Sequence, residues 1–280
     1  MKKRLVSILV IAVLMLSMTA TASMIYLDVP DNAKVDKSPV IEDKVLTPPG
    51  LEKIVFIHYK KGFGKPGTSC GNGICEPGEN ANKCPADCGS GEEPADSCYS
   101  FLAKGVEWKT LPVSYYVNPS NPYGLSEEFV TNTIAVSAGT WDDATSSELF
   151  NNAYAVDYSA DYDETAPDGR NEISFGADDP GTIAVTIIWG YFSGPPKSRQ
   201  IVEFDIRFNT YYPWGDAALD PSVMDLQNIA VHELGHGVGL GDQYETACSE
   251  VTMYGYGDYG ETKKRTLELP DITGLQEMYN

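Results

Sequence analysis

Histidine is scarce in this chain. There are three in 280 residues, namely His58, His232 and His236. Any chemistry that runs on imidazole has to be sought at those positions. Basic residues are also few. Twenty lysines and arginines stand against 40 aspartates and glutamates, a net charge of −20. No basic stripe exists to follow a phosphate backbone, which argues against nucleic acid as a partner. Beyond Met18 there is no long apolar run, so no later segment reads as a membrane span. Cysteine is limited to six residues, and none falls in a repeated C-x2-C spacing, which weighs against a four-cysteine zinc site.

The one long apolar run lies at the start. Lys2, Lys3 and Arg4 precede the stretch from Leu5 to Met18, and Ala20-Thr21-Ala22 offers small residues for cleavage. Residues 1–23 therefore read as a secretory signal, since the run is short for a membrane span. Attachment to a membrane is expected only if this segment stays uncleaved. Its removal takes three basic residues and no acids, so the mature charge becomes −23, that is 17 against 40. A secreted or cell-surface protein is expected, and some of its acids could hold calcium. Six cysteines in such a chain point to disulfides.

Residues 24–69 form a proline-rich spacer or short pro-segment, with Pro30, Pro39, Pro48, Pro49 and Pro66. Within it, Leu51 to Tyr59 reads as a short strand leading into Lys60, Lys61 and Lys65. This stretch fits a remnant propeptide, a wall-proximal stalk or a strand docked on the larger domain downstream. His58 reads as a partly exposed strand residue. Residues 70–88, CGNGICEPGENANKCPADC, form a small disulfide-rich module. Such a stretch cannot build an apolar core and needs staples. Cys70, Cys75, Cys84 and Cys88 allow three pairings. Its pattern resembles small CGNGxCExGE…CPxDC inserts of secreted microbial proteins. Residues 89–97 are a flexible acidic linker, and the main domain is expected over residues 98–280.

In that domain, Trp108–Val117 reads as a first strand and Ser126 as the start of a helix running to about Trp141, with Glu127 and Glu128 at its positive end. An acidic loop, Asp157–Asp168, follows; Asp161, Asp163 and Glu164 could hold calcium. Strands are predicted at 171–175, 182–189 and 201–208, the last alternating cleanly. The order strand, helix, strands, helix implies an α+β fold, a twisted mixed sheet packed on helices.

Two of the three histidines fall in residues 225–242, DLQNIAVHELGHGVGLGD. Leu226, Ile229, Ala230 and Leu234 make one apolar stripe, so the first half is helical. His232 and His236 then lie one turn apart on one face and can reach the same zinc ion. Glu233 is beside the metal but angled off it, which suits a general base acting on metal-bound water. Gly239 can take positive φ, end the helix and reverse the chain. Asp242 returns as a third ligand, and three protein ligands leave one position open, as in a catalytic zinc site.

These residues resemble a metzincin metalloprotease, closest to the matrixin-like microbial branch. The resemblance rests on WKTLPVSYYVN, VEFDIRFN, HELGHGVGLGD, Val251-Thr-Met253-Tyr254 as a Met-turn, and the closing LPDITGLQEMY. It implies a zinc-dependent endopeptidase acting on protein or peptide substrates, with one catalytic zinc on His232, His236 and Asp242, Glu233 as base and Met253 as a floor beneath the metal. A monomer is expected. Asp242 stands where most of the family has a third histidine, as in the snapalysin-like pattern HExxHxxGxxD. The anionic ligand makes the bound water less acidic. With only His58 left over, no histidine-built structural zinc is expected. The cysteine switch PRCGxPD is missing as well. Cys98 and Cys248 remain as a pair; a bridge would tether the start of the domain beside the active-site loop. Tyr254 or Tyr256 could donate to the oxyanion, although plain packing accounts for either. An extended substrate would pair with a sheet edge, the 182–189 strand being the first choice. The alternative from another class is a surface binding or adhesion protein with a vestigial metal site, and the intact Glu233 speaks against it.

Overall fold

The computed structural model describes residues 48–63, 88, 98–151 and 154–280. The first strand is β1 (Glu52–Lys60), from the segment read as spacer. Alternation turns Ile54, Phe56 and His58 inward, while Lys53 and Val55 face solvent. Next come β2 (Ser100–Phe101) and β3 (Tyr116–Val117). The sequence predicts a strand from Trp108 onward, but only the last two residues join the sheet. Pro112 lacks a donor N–H and interrupts the ladder. What remains upstream are single bridges from Trp108 to Ile201 and from Val113 to Phe150.

Helix α1 (Glu127–Asp142) starts where predicted. Ser126 caps it, its side chain accepting from Phe129 N, and Glu127 and Glu128 sit in the first turn. Strands β4 (Ala155–Val156), β5 (Glu172–Gly176), β6 (Thr182–Tyr191) and β7 (Gln200–Asn209) follow, then the short pair β8 (Trp214–Gly215) and β9 (Met224–Asp225). Helix α2 (Leu226–Gly237) carries the histidine motif. After it come β10 (Leu240–Gly241), β11 (Tyr256–Gly257) and helix α3 (Leu269–Tyr279).

The architecture is α+β, with a seven-stranded mixed sheet in the order β11-β1-β6-β7-β5-β3-β4. β6 is antiparallel to both β1 and β7, whereas β5 runs parallel to β3 and β7. The core between sheet and helices is built from Ile183, Ile188, Phe204, Ile206, Trp141, Ile229, Leu234 and Met253, all nearly or fully buried. Trp141 of α1 donates its indole N–H to Val231 O of α2 at 2.8 Å, which locks the two helices together. Among the described residues no helix is long and apolar enough to cross a membrane.

The Cys98–Cys248 pair is bridged. The bond joins β2's approach to the loop between Asp242 and Met253, and sits in a small cluster with Tyr59, Val251, Tyr254 and Tyr256. Cys88 is also disulfide-bonded; Cys70, Cys75 and Cys84 lie outside the described residues. The Cys98–Cys248 bridge spans a sequence separation of 150. Replacing both residues with serine is expected to lower the unfolding free energy by up to about 5 kcal/mol, measured by urea denaturation.

Candidate metal centre

Helix α2 is buried along almost its whole length, so each of its ends needs internal partners. At the start, Asp225 accepts from Asn228 N at 2.7 Å and from Ala217 N at 2.8 Å. Arg265 closes on the same carboxylate, with Nε at 2.8 Å. Asn228 in turn accepts from Lys264 N at 2.7 Å. At the far end, the carbonyls of Gly237 and Val238 accept from the Trp108 indole at 2.7 Å and the Tyr279 hydroxyl at 2.8 Å. Gly239 then takes φ +112°, as the motif predicted, and the chain reverses. β10 pairs with β2 and delivers Asp242 back to the helix.

His232 Nδ1 lies 2.7 Å from Thr252 O, and His236 Nδ1 lies 2.9 Å from Leu240 O. A carbonyl can only accept, so each Nδ1 carries the proton and each Nε2 keeps a free lone pair. Those two Nε2 atoms face Asp242 Oδ1, at 3.2 Å and 3.4 Å. The Tyr244 hydroxyl donates to Asp242 Oδ2 at 2.8 Å and fixes the carboxylate. His232 Nε2, His236 Nε2 and Asp242 Oδ1 are buried without a hydrogen-bond partner. Three acceptors thus converge on one another with no donor between them. Ligand atoms around a tetrahedral zinc at bond lengths of about 2.0–2.1 Å stand about 3.3 Å apart. The spacing fits, and these three residues could hold a metal ion.

Glu233 faces the same space. Thr186 of β6 donates its hydroxyl to Glu233 Oε2. Oε1 is 3.5 Å from His58 Nδ1. Burial pushes the Glu233 carboxyl up to about 7 and the His232 imidazole down to about 4. His58 corrects the sequence reading: it is 1% exposed rather than partly exposed. Its ring meets His232 edge-on at 4.0 Å, and Phe56 stacks on His236 at 3.9 Å.

Met253 is fully buried beneath α2. Asp271 holds its turn from below, accepting from Thr252 N at 2.9 Å and Met253 N at 3.2 Å, while also bonding Glu268 N at 3.0 Å to start α3. Tyr254 and Tyr256 lie in the small cluster around the Cys98–Cys248 bridge.

Residues 107–280 match the sequence profile of the matrixins, peptidase family M10. The chain belongs to the matrixins. No curated protein matches it at a significant level. Membership makes it a zinc-dependent peptidase, and two overlapping groups at this centre could hold a metal ion: His232, His236 and Asp242, and His58, His232 and Glu233.

Several residues of this matrixin's centre escaped the sequence. Lys264 is buried, and burial lowers its ammonium to about 7. In the sequence it is one of the run Lys263-Lys264-Arg265, which carries no signal of burial. Thr186 reads as a plain strand residue. Gly235 reads as a helix spacer, yet a methyl group there would stand 2.3 Å from Met253 Sδ and 2.7 Å from Trp141 Cζ2. Asp271 carries the one legible signal, an acid three residues past the α3 cap.

A second acidic group lies away from the centre. Asp161 and Asp163 come within ligand distance of Glu172, and Asp163 and Asp168 of Glu203. Glu164, grouped with them from sequence, is in neither set; its carbonyl accepts from Lys53 Nζ at 2.7 Å. Burial, with neighbouring carboxylates, raises Glu203 to about 7 and Asp205 to about 8.

Two outcomes are expected. Gly235→Ala should cost about 1–3 kcal/mol in urea denaturation, because neither Met253 nor Trp141 has room to yield. The raised Glu203 carboxyl binds its proton more tightly in the folded chain, so its contribution to stability is lost as pH rises from about 4 through about 7. The melting temperature of Glu203→Gln, relative to wild type, should therefore climb between pH of about 5 and about 8.

Proposed function

We propose that this matrixin is a secreted endopeptidase whose zinc is held by His232, His236 and Asp242, with Glu233 as general base. The observation that carries the reading is the convergence of three partnerless buried acceptors at 3.2 Å and 3.4 Å, with the Glu233 carboxylate facing the same space. Asp242 gives the site its snapalysin-like character, since a carboxylate stands in the third position. The residues 1–23 that read as a signal support secretion.

The zinc, when bound, supplies Lewis-acid polarisation of the scissile carbonyl and makes the attacking water more acidic. The chain's own residues do the rest. Glu233 accepts one proton from the water as the new C–O bond forms. It delivers that proton to the amide nitrogen as the C–N bond breaks. Burial raises the Glu233 carboxyl, which favours its taking a proton. Thr186 occupies Oε2 and leaves Oε1 for the proton. The carbonyls of Thr252 and Leu240 hold the imidazoles in the tautomer that presents Nε2. Met253 packs against Gly235, between the two histidines of the helix, and keeps that turn in place.

Metal content and cleavage together test the assignment. One zinc per chain is expected in wild type and in Glu233→Gln, and none in Asp242→Ala after dialysis. Peptide cleavage by Glu233→Gln should fall at least about 100-fold. Folded wild-type protein that binds no zinc would sink the reading, as would a Glu233→Gln protein of undiminished activity.

A further inference from the structure

The sequence offers the edge of the 182–189 strand to an extended substrate. In the structure that edge is taken. β1 pairs with β6 from Glu52↔Gly190 to His58↔Ala184, with a bulge before Tyr59. The other side of β1 is held by the segment just after Met253. There Tyr59 and Lys60 lie parallel to Tyr256 and Gly257. Tyr59 N donates to Gly255 O at 3.2 Å, and Lys61 N to Gly257 O at 3.0 Å. A stretch of this chain is thus threaded between the sheet edge and the wall beside the metal centre.

Its inward side chains meet the centre directly. Phe56 covers His236, and His58 leans on His232 with Nδ1 toward Glu233 Oε1. Lys264 backs that ring from the other side. Its ammonium contacts Tyr254 O, Tyr256 O at 2.9 Å and His58 Nε2 at 3.0 Å. The His58 ring thus stands between Lys264 on its Nε2 side and the Glu233 carboxylate on its Nδ1 side. His232, Glu233 and His236 are left with no exposed surface. An endopeptidase must lay an extended chain along a sheet edge and bring its carbonyl to the base. Here the edge is already paired and the base is already covered.

We infer that residues 52–60 are a built-in, substrate-like blocking strand, that His58 is the residue that covers Glu233, and that a peptide reaches the centre once this strand leaves β6. The inference rests on the peptidase reading above. A tethered strand competes as an intramolecular ligand, at an effective concentration set by its connection to the rest of the chain. Backbone pairing gives it hold, and Ile54, Phe56 and His58 give it register.

The test uses the full chain with zinc bound. His58→Ala removes the ring that covers His232 and Glu233. Ile54→Pro with Phe56→Pro breaks the β1–β6 ladder. Either variant should raise kcat/KM on a quenched fluorescent peptide by about 10-fold or more. In wild type, a peptidyl hydroxamate at saturation should speed hydrogen exchange at the amides of residues 52–60, as the strand is displaced. That second measurement needs no substitution and stands if a variant fails to fold. Zinc-loaded variants no faster than wild type, with residues 52–60 still protected when the hydroxamate is bound, would make β1 a permanent part of the enzyme and overturn the inference. Absence of zinc from every protein would instead remove the peptidase reading, and the inference with it.

Discussion

Three buried lone pairs pointed at one another are a cost that the rest of this structure is arranged to sustain. His232 Nε2, His236 Nε2 and Asp242 Oδ1 have no donor among the surrounding side chains. Left alone, such groups would each forgo the hydrogen bonds water gives them. A cation bound there would resolve all three together. In the proposed reading the scaffold fixes atoms that repel one another until an ion is bound. It does so with neutral backbone carbonyls behind each imidazole and a tyrosine hydroxyl behind the carboxylate. Asp271 extends this support by one more layer, because the turn that offers Thr252 O to His232 is itself held by the Asp271 carboxylate.

Close packing does the same work sterically. The helix between the two histidines has no side chain at position 235, and Met253 and Trp141 occupy the space left. The histidine helix is thereby clamped from two sides by groups that contribute no charge. Polar strapping at its ends, by Asp225 and Arg265 at one and by Trp108 and Tyr279 at the other, fixes its position along the axis. The cleft-side residues and the core residues are consequently one mechanical unit.

Much of this was legible in the sequence, and the remainder was hidden for identifiable reasons. Apolar spacing exposed α2, and alternation exposed β7, because both patterns record local geometry. Gly239 announced the reversal that returns Asp242. The strand expected from Trp108 broke at Pro112, where a missing donor outweighed the β-branched and aromatic residues around it. His58 was misjudged because its surroundings come from β6, α2 and Lys264, all more than 120 residues away. Nothing in LEKIVFIHYK states which edge it will join. Lys264 was hidden by its charged neighbours, since burial of one lysine in a run of cations depends wholly on tertiary contacts.

β6 reads TIAVTIIWGY, and nine of its ten residues are buried. With β1 in place it is an interior strand. Without β1 it would become the outermost one over that stretch, a long apolar ribbon with unpaired amides and carbonyls and no charged residue to deter a second molecule. Open edges of that kind template self-association. The strand at the metal centre is therefore also a solubility device. An uncovered molecule would trade a guarded seam for an adhesive one, and its working lifetime would depend on how soon another extended chain took the place of β1.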